Sequence, residues 1–216
     1  MKKNVRVAVA GLGRIGRIHL ENLVTRTPGA EVIAVADPFP ESHDFARNLG
    51  VERIESTFDA LLAARPDAVY ICTPTDTHAD YVIAAANAGI HVFCEKPVDL
   101  SIDRVGEVLQ TVEGAKIKLM VGFNRRFDPN FAKIQSMVAN GKVGRPHMIR
   151  ITSRDPGPPP IDYIKVSGGM FLDMSIHDFD IARFLAGSEV VEVYAKGSNL
   201  VDPAIGEAGD IDTATV

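Results

Sequence analysis

VRVAVAGLGRIGRIHLENLV, from Val5 to Val24, decides how the rest of the chain is read. Val5–Ala10 is apolar apart from Arg6 and has the length of a buried strand. A helical pattern follows from Ile15 to about Arg26, with Ile18, Leu20 and Leu23 among its apolar positions. Between the two, Gly11-Leu12-Gly13-Arg14-Ile15-Gly16 fits G-x-G-x-x-G, and the strand before it and the helix after it give the match its weight. Gly11 permits the tight turn, Gly13 lets a pyrophosphate approach the backbone, and Gly16 lets the helix pack close to the strand. The N–H groups of the first helical turn, at Arg14 and Ile15, and the helix dipole favour an anion. Asp37 closes the next apolar run, 21 residues after Gly16. A carboxylate there accepts bonds from the adenosine ribose hydroxyls and repels a 2′-phosphate, so the expected cofactor is NAD rather than NADP. The plainer reading is a tight turn with no ligand; strand, helix and acid together weigh against it.

Working outward, strands are expected at Val32–Ala36, Ala68–Cys72, His91–Cys94 and Ile117–Gly122. Helices are expected at Phe45–Leu49, Ala79–Ala88 and Asp103–Val112. Alternating strands and helices predict a doubly wound parallel sheet, and continuous apolar strands predict helices on both of its faces. Open sheets of this kind bind ligands outside the carboxyl ends of their strands. Two such ends are Thr73-Pro74-Thr75-Asp76-Thr77-His78 and Glu95-Lys96-Pro97. Thr73, Pro74, Thr75, His78, Glu95 and Lys96 are therefore expected to border the cofactor. An ammonium at Lys96 can polarise a hydroxyl or carbonyl oxygen, although a lysine at a strand end is more often a solvated charge.

The pattern changes near Gly122. A dinucleotide-binding domain over 1–122 is expected, then an α+β domain over 123–216 with a mostly antiparallel, open-faced sheet. There the sequence predicts a helix at Phe131–Ala139, a strand at His147–Arg154, a loop at Asp155–Pro160 and a helix from about Met170 to Leu185. A strand at Glu189–Lys196, a loop at Leu200–Gly209 and the start of a strand at Asp210–Val216 complete it. A strand start with no turn after it leaves its sheet unfinished, so an incomplete second domain is expected. Asp173 and His177 lie four apart and share a helix face. A carboxylate beside imidazole holds its tautomer, which suits a base removing a hydroxyl proton. The plainer reading is an acidic patch at a helix N-terminus, and it covers Asp178 and Asp180 as well. No cysteine lies near these residues and no H-E-x-x-H occurs, so no metal is expected. His19, His43, His91 and His147 read as core or surface residues.

Composition narrows the partners. The 216 residues carry a net charge of -5, which gives no basic face for nucleic acid. No apolar run approaches the ~18 residues that would span a bilayer. Cys72 and Cys94 sit in apolar runs and read as buried thiols of a reducing compartment, so a cytoplasmic protein is expected. No G-x-S-x-G supports a serine hydrolase.

The glycine turn, Glu95-Lys96-Pro97, Gly168-Gly169 and Asp173-x-x-x-His177, in this order, resemble the Gfo/Idh/MocA oxidoreductase family. The segments Gly122–Asp128, Ser153–Pro156, Asp162–Gly169 and Leu200–Asp210 narrow the likeness to the inositol dehydrogenases within it. The resemblance covers essentially the whole chain, and family members continue past position 216. It implies NAD-dependent oxidation of myo-inositol to 2-keto-myo-inositol, with His177 as general base, Asp173 orienting it and binding substrate, and Lys96 sharing the proton relay. It further implies that Arg125 and Asp155 contact the polyol or line its pocket, and that the protein is a homo-oligomer. Alternatives are another polyol or sugar dehydrogenase of the family, acting on scyllo-inositol or glucose, a non-catalytic NAD-binding regulator, or an inactive fragment.

Overall fold

Six strands from the first part of the chain, five of them mainly apolar, pair side by side in a computed structural model that describes residues 4–216. They are β1 (Val5–Ala10), β2 (Ala30–Ala36), β3 (Ile54–Glu55), β4 (Ala68–Ile71), β5 (His91–Cys94) and β6 (Leu119–Val121). Their order is β3-β2-β1-β4-β5-β6, and every neighbouring pair is parallel. The chain winds outward from β1 in both directions, so the carboxyl ends of β1 and β4 flank the switch point where open sheets take ligands. The helices α1 (Arg14–Arg26), α2 (His43–Asn48), α3 (Phe58–Leu62), α4 (His78–Asn87) and α5 (Ile102–Ala115) connect the strands. Alternation along β1 sends Val7 and Val9 to one face, where they pack with Leu20, Leu23 and Ala46. Ala8 and Ala10 face the other side, with Leu61, Val82 and Val108. The doubly wound sheet is thus the expected one. β3 and α3 have no counterpart in the sequence reading. Thr57 supplied the signal for α3, because its hydroxyl accepts from the Ala60 N–H at 3.3 Å as an N-cap.

Cys72 and Cys94 are unbridged and buried at the ends of β4 and β5. Burial pushes both thiols well above their ordinary range, and the nearby Glu95 charge adds to the effect.

The first compact unit ends at Gly122 and the second spans Phe123–Val216. The second holds α6 (Pro129–Ala139), α7 (Ile161–Ser167), α8 (Ile176–Ala186), α9 (Pro203–Glu207) and the short antiparallel pair β7 (Lys196–Ser198) and β8 (Thr213–Thr215). Several expectations are corrected here. Residues 147–154 form no strand, and of 189–196 only Lys196 joins one. Alternation supplies a side-chain pattern, but a strand also needs a neighbouring backbone. Among the described residues, β7–β8 is the one ladder of this unit. The helix expected from Met170 opens as a π-helical segment, Met170–Ser175, before α8 begins. The loop expected at 200–209 contains α9, capped by the Asp202 carboxylate accepting from the Ala204 N–H at 2.9 Å. α7 also escaped the reading. Asp212 closes the loop before α9 by accepting from the N–H groups of Leu200, Val201 and Asp202 at 2.9, 2.9 and 3.0 Å. These bonds hold its carboxyl well below the usual range. Among the described residues, no helix is long and apolar enough to cross a membrane.

Leu20 is fully buried between α1 and the sheet, whereas Ile102 is 81% exposed at the start of α5. Leu20→Ala is expected to cost about 2–5 kcal/mol and Ile102→Ala no more than about 0.5 kcal/mol, as measured by urea unfolding.

Candidate functional site

The three glycines of the first turn do different work. Gly11 has φ +87°, and a Cβ there would lie 2.6 Å from the Cys72 carbonyl oxygen. A Cβ on Gly16 would collide with the Gly11 carbonyl oxygen. Both positions are fixed by packing within the fold. Gly13 is the N-cap of α1, and nothing stands within 4 Å of where its Cβ would be. The first turn of α1 contains no acid and no side-chain cap, Arg14 is exposed, and Ile15 is half-buried. Open space beside Gly13 and a first helical turn that carries no acid of its own suit a pyrophosphate.

Asp37, only 6% exposed at the end of β2, braces this turn from within. Its Oδ2 accepts from the Leu12 N–H at 2.6 Å and its Oδ1 from the Phe39 N–H at 2.9 Å. These bonds come in addition to the ribose contact expected of Asp37 from the sequence. A carboxylate offers about four acceptor sites, so the two roles are compatible.

The ends of β4 and β5 lie along the same edge. Thr73 Oγ1 is 2.6 Å from Thr77 Oγ1, and Pro74 leads into a 3-10 turn, Thr75–Thr77. His78 opens α4 and is 2% exposed. Its Nδ1 lies 2.7 Å from the Pro97 carbonyl oxygen and its Nε2 2.8 Å from that of Thr73. The ring expected along the cofactor is thus directed inward, between two strand-end loops. Glu95 Oε1 is 2.7 Å from His19 Nε2, and Glu95 Oε2 accepts from the Lys96 N–H at 3.3 Å. Lys96 itself is half-buried, and the Lys96–Pro97 peptide is cis. The His19 ring meets Phe93 edge-on at 4.9 Å, and Phe93 stacks on Tyr70 at 4.5 Å. His19 reads in the sequence as a plain core or surface residue. The available signal was its place three residues after Gly16 and four before Leu23, on the face that α1 turns to the sheet. A recess of about 480 Å³ lined by Leu62, Arg65, Asp67 and His91 lies at the opposite, amino ends of β4 and β5. Open sheets do not take ligands at that edge.

In the second unit, Gly168 and Gly169 both have positive φ, and the Met170 N–H donates to the Asp210 carboxylate at 3.0 and 3.1 Å. A Cβ on Gly169 would lie 2.5 Å from that carboxylate. Asp173 sits in the π-helical segment, of a kind that recurs at functional sites. Its Oδ1 accepts from the Tyr163 hydroxyl at 3.1 Å, a partner the sequence reading did not name. His177 is half-buried in the first turn of α8. Arg125, expected at the polyol, is paired with Asp178, which also accepts from the Ser153 hydroxyl at 2.7 Å. Arg126 grips Asp180 through two nitrogens and lies over the Phe184 ring at 5.3 Å. Asp155 is exposed on the proline-rich loop. Among the described residues, no three His, Cys, Asp or Glu side chains are grouped to hold a metal ion.

Residues 5–123 match an oxidoreductase family described as having an NAD-binding Rossmann fold, and residues 131–216 match a GFO/IDH/MocA C-terminal domain. The chain is 51% identical to an inositol 2-dehydrogenase of Rhizobium meliloti and 50% identical to a myo-inositol 2-dehydrogenase of Thermotoga maritima, in both cases over 98% of its length. It spans 64% of the length of each. A scyllo-inositol dehydrogenase of Lactobacillus casei, solved with NAD(H) and scyllo-inositol bound, superimposes with a TM-score of 0.89 at 36% identity, over 98% of this chain and 65% of that one.

The glycines separate in a simple test. Gly16→Ala is expected to lower the thermal midpoint clearly, because its methyl meets backbone. Gly13→Ala is expected to leave the midpoint unchanged within a degree or two, read by calorimetry.

Proposed function

The chain belongs to the Gfo/Idh/MocA oxidoreductase family, and on that footing we propose that it binds NAD at its glycine turn and oxidises myo-inositol to 2-keto-myo-inositol. The observation that carries the reading is the cradle itself. Gly13 faces open space while Gly11 and Gly16 are packed against backbone, and Asp37 braces the turn from the next strand. The names of the relatives, inositol dehydrogenases at about half identity, supply the substrate class.

NAD, when bound, would supply the hydride acceptor. The residues of the chain do the rest. The first-turn N–H groups of α1 hold the pyrophosphate, and Asp37 meets the ribose hydroxyls. Lys96 polarises the reacting oxygen and steadies charge that develops on it. His177 takes the hydroxyl proton, and Asp173 orients that imidazole and binds substrate. Tyr163 steadies Asp173 through its hydroxyl. Thr73, Pro74, Thr75 and Glu95 border the cofactor, with His78 supporting them from beneath. Arg125 keeps N–H groups beyond the one given to Asp178, and with Asp155 it meets the hydroxyls of the ring. We take the protein to work in the cytoplasm as a homo-oligomer, a state that light scattering measures.

NAD is expected to bind more tightly than NADP, and Asp37→Ala to narrow the difference, as measured by titration calorimetry. Lys96→Ala and His177→Ala are each expected to lower turnover by ~10²–10⁴-fold with NAD affinity largely kept. NAD reduction against a panel of inositols and aldoses measures both points. Near-normal turnover in either variant, or a preference for an aldose, would overturn the assignment.

A further inference from the structure

Both flanks of the turn that carries Lys96 are held by histidines, and we propose that His19 and His78 are positioning residues that fix the Lys96 ammonium for the redox step. The proposal rests on the role given to Lys96 above.

The Glu95 side chain is the first anchor. It is caught between His19 of α1, at 2.7 Å, and the Lys96 backbone N–H, at 3.3 Å. It also fills the space beside Gly122, where a Cβ would lie 2.9 Å from Oε2. The Pro97 carbonyl is the second anchor, 2.7 Å from His78 Nδ1. His78 Nε2 reaches the Thr73 carbonyl at 2.8 Å, so the same ring ties the end of β4 to the turn after β5. Carbonyl oxygens only accept, so a neutral ring donates to one of them and an imidazolium to both. A ring that is 2% exposed keeps its place there only through such bonds. Lysine has a flexible four-carbon stem, so where its ammonium arrives depends on where its backbone starts. Misplacing a reacting group by about 1 Å can cost ~10²-fold in rate. His19 belongs to the helix that opens with the glycine turn, so the cofactor cradle and the lysine turn share one frame.

Histidine has two conservative replacements that separate its nitrogens. Asparagine sets its amide near Nδ1 and glutamine near Nε2. H78N keeps a partner for Pro97, and H78Q keeps only the Thr73 contact. H19Q keeps a partner for Glu95, and H19L removes it. Turnover is expected to fall ~10–100-fold in H78Q and H19L and to stay within ~3-fold of wild type in H78N and H19Q, with KM and NAD affinity little changed. Amide hydrogen exchange of the peptide containing Lys96, followed by mass spectrometry, gives a readout without turnover. It is expected to quicken in H78Q and H19L alone. Should the His78 variants fail to fold, the His19 pair, at a half-buried site, decides the matter. Equal turnover and equal exchange within each pair would overturn the proposal. Lys96→Ala is run beside them. Its inactivity alongside wild-type turnover in H78Q and H19L sinks the clamp alone, whereas its retained turnover sinks the role of Lys96 and the clamp with it.

Discussion

No side chain can stand on the Cα of residue 16. A methyl there would collide with the carbonyl oxygen of Gly11, and Cys72 lies just behind. That closeness brings α1 onto the end of β1, and much of the first unit follows from it. Leu20 and Leu23 reach the Val7 and Val9 face of the sheet. The first turn of α1 presents its N–H groups beyond the strand ends, and His19 comes within reach of Glu95. Asp37 completes the arrangement from β2 by taking the Leu12 N–H.

Six of the aspartates are taken up by the fold in one of two ways. Asp37, Asp202, Asp210 and Asp212 accept from backbone N–H groups and fix loops or helix starts. Asp178 and Asp180 hold arginines. Each is engaged inside the fold, where a charged acceptor bonds more strongly than a neutral one. Asp173 accepts from a tyrosine hydroxyl at 3.1 Å. The net charge of -5 is therefore no measure of the acid presented to a ligand.

Most of the first unit could be read without coordinates, because a two-sided parallel sheet writes its strands as unbroken apolar runs. Val5–Ala10 and His91–Cys94 appear with the expected bounds. β3 was too short, at two residues, to leave a pattern. The second unit was harder. Met148, Ile149 and Ile151 alternate with polar residues as a half-buried strand would, yet pairing is non-local and no pattern in one segment reveals its partner. The candidate site was legible in the same uneven way. The glycines and Lys96 of the first unit, and Asp173 and His177 of the second, stand out by spacing. The contacts of His19, His78 and Tyr163 join positions 76, 19 and 10 residues apart, and spacing carries no sign of them.

Both cysteines end buried strands, and burial raises their thiols above the ordinary range. A thiol in that state is a poor nucleophile. Toward maleimides and other sulfhydryl probes these two cysteines are consequently almost blank. One cysteine introduced on the surface would carry a dye or spin label alone, with both natural residues left in place, so distances and motions could be followed without first stripping the sheet of two well-packed side chains.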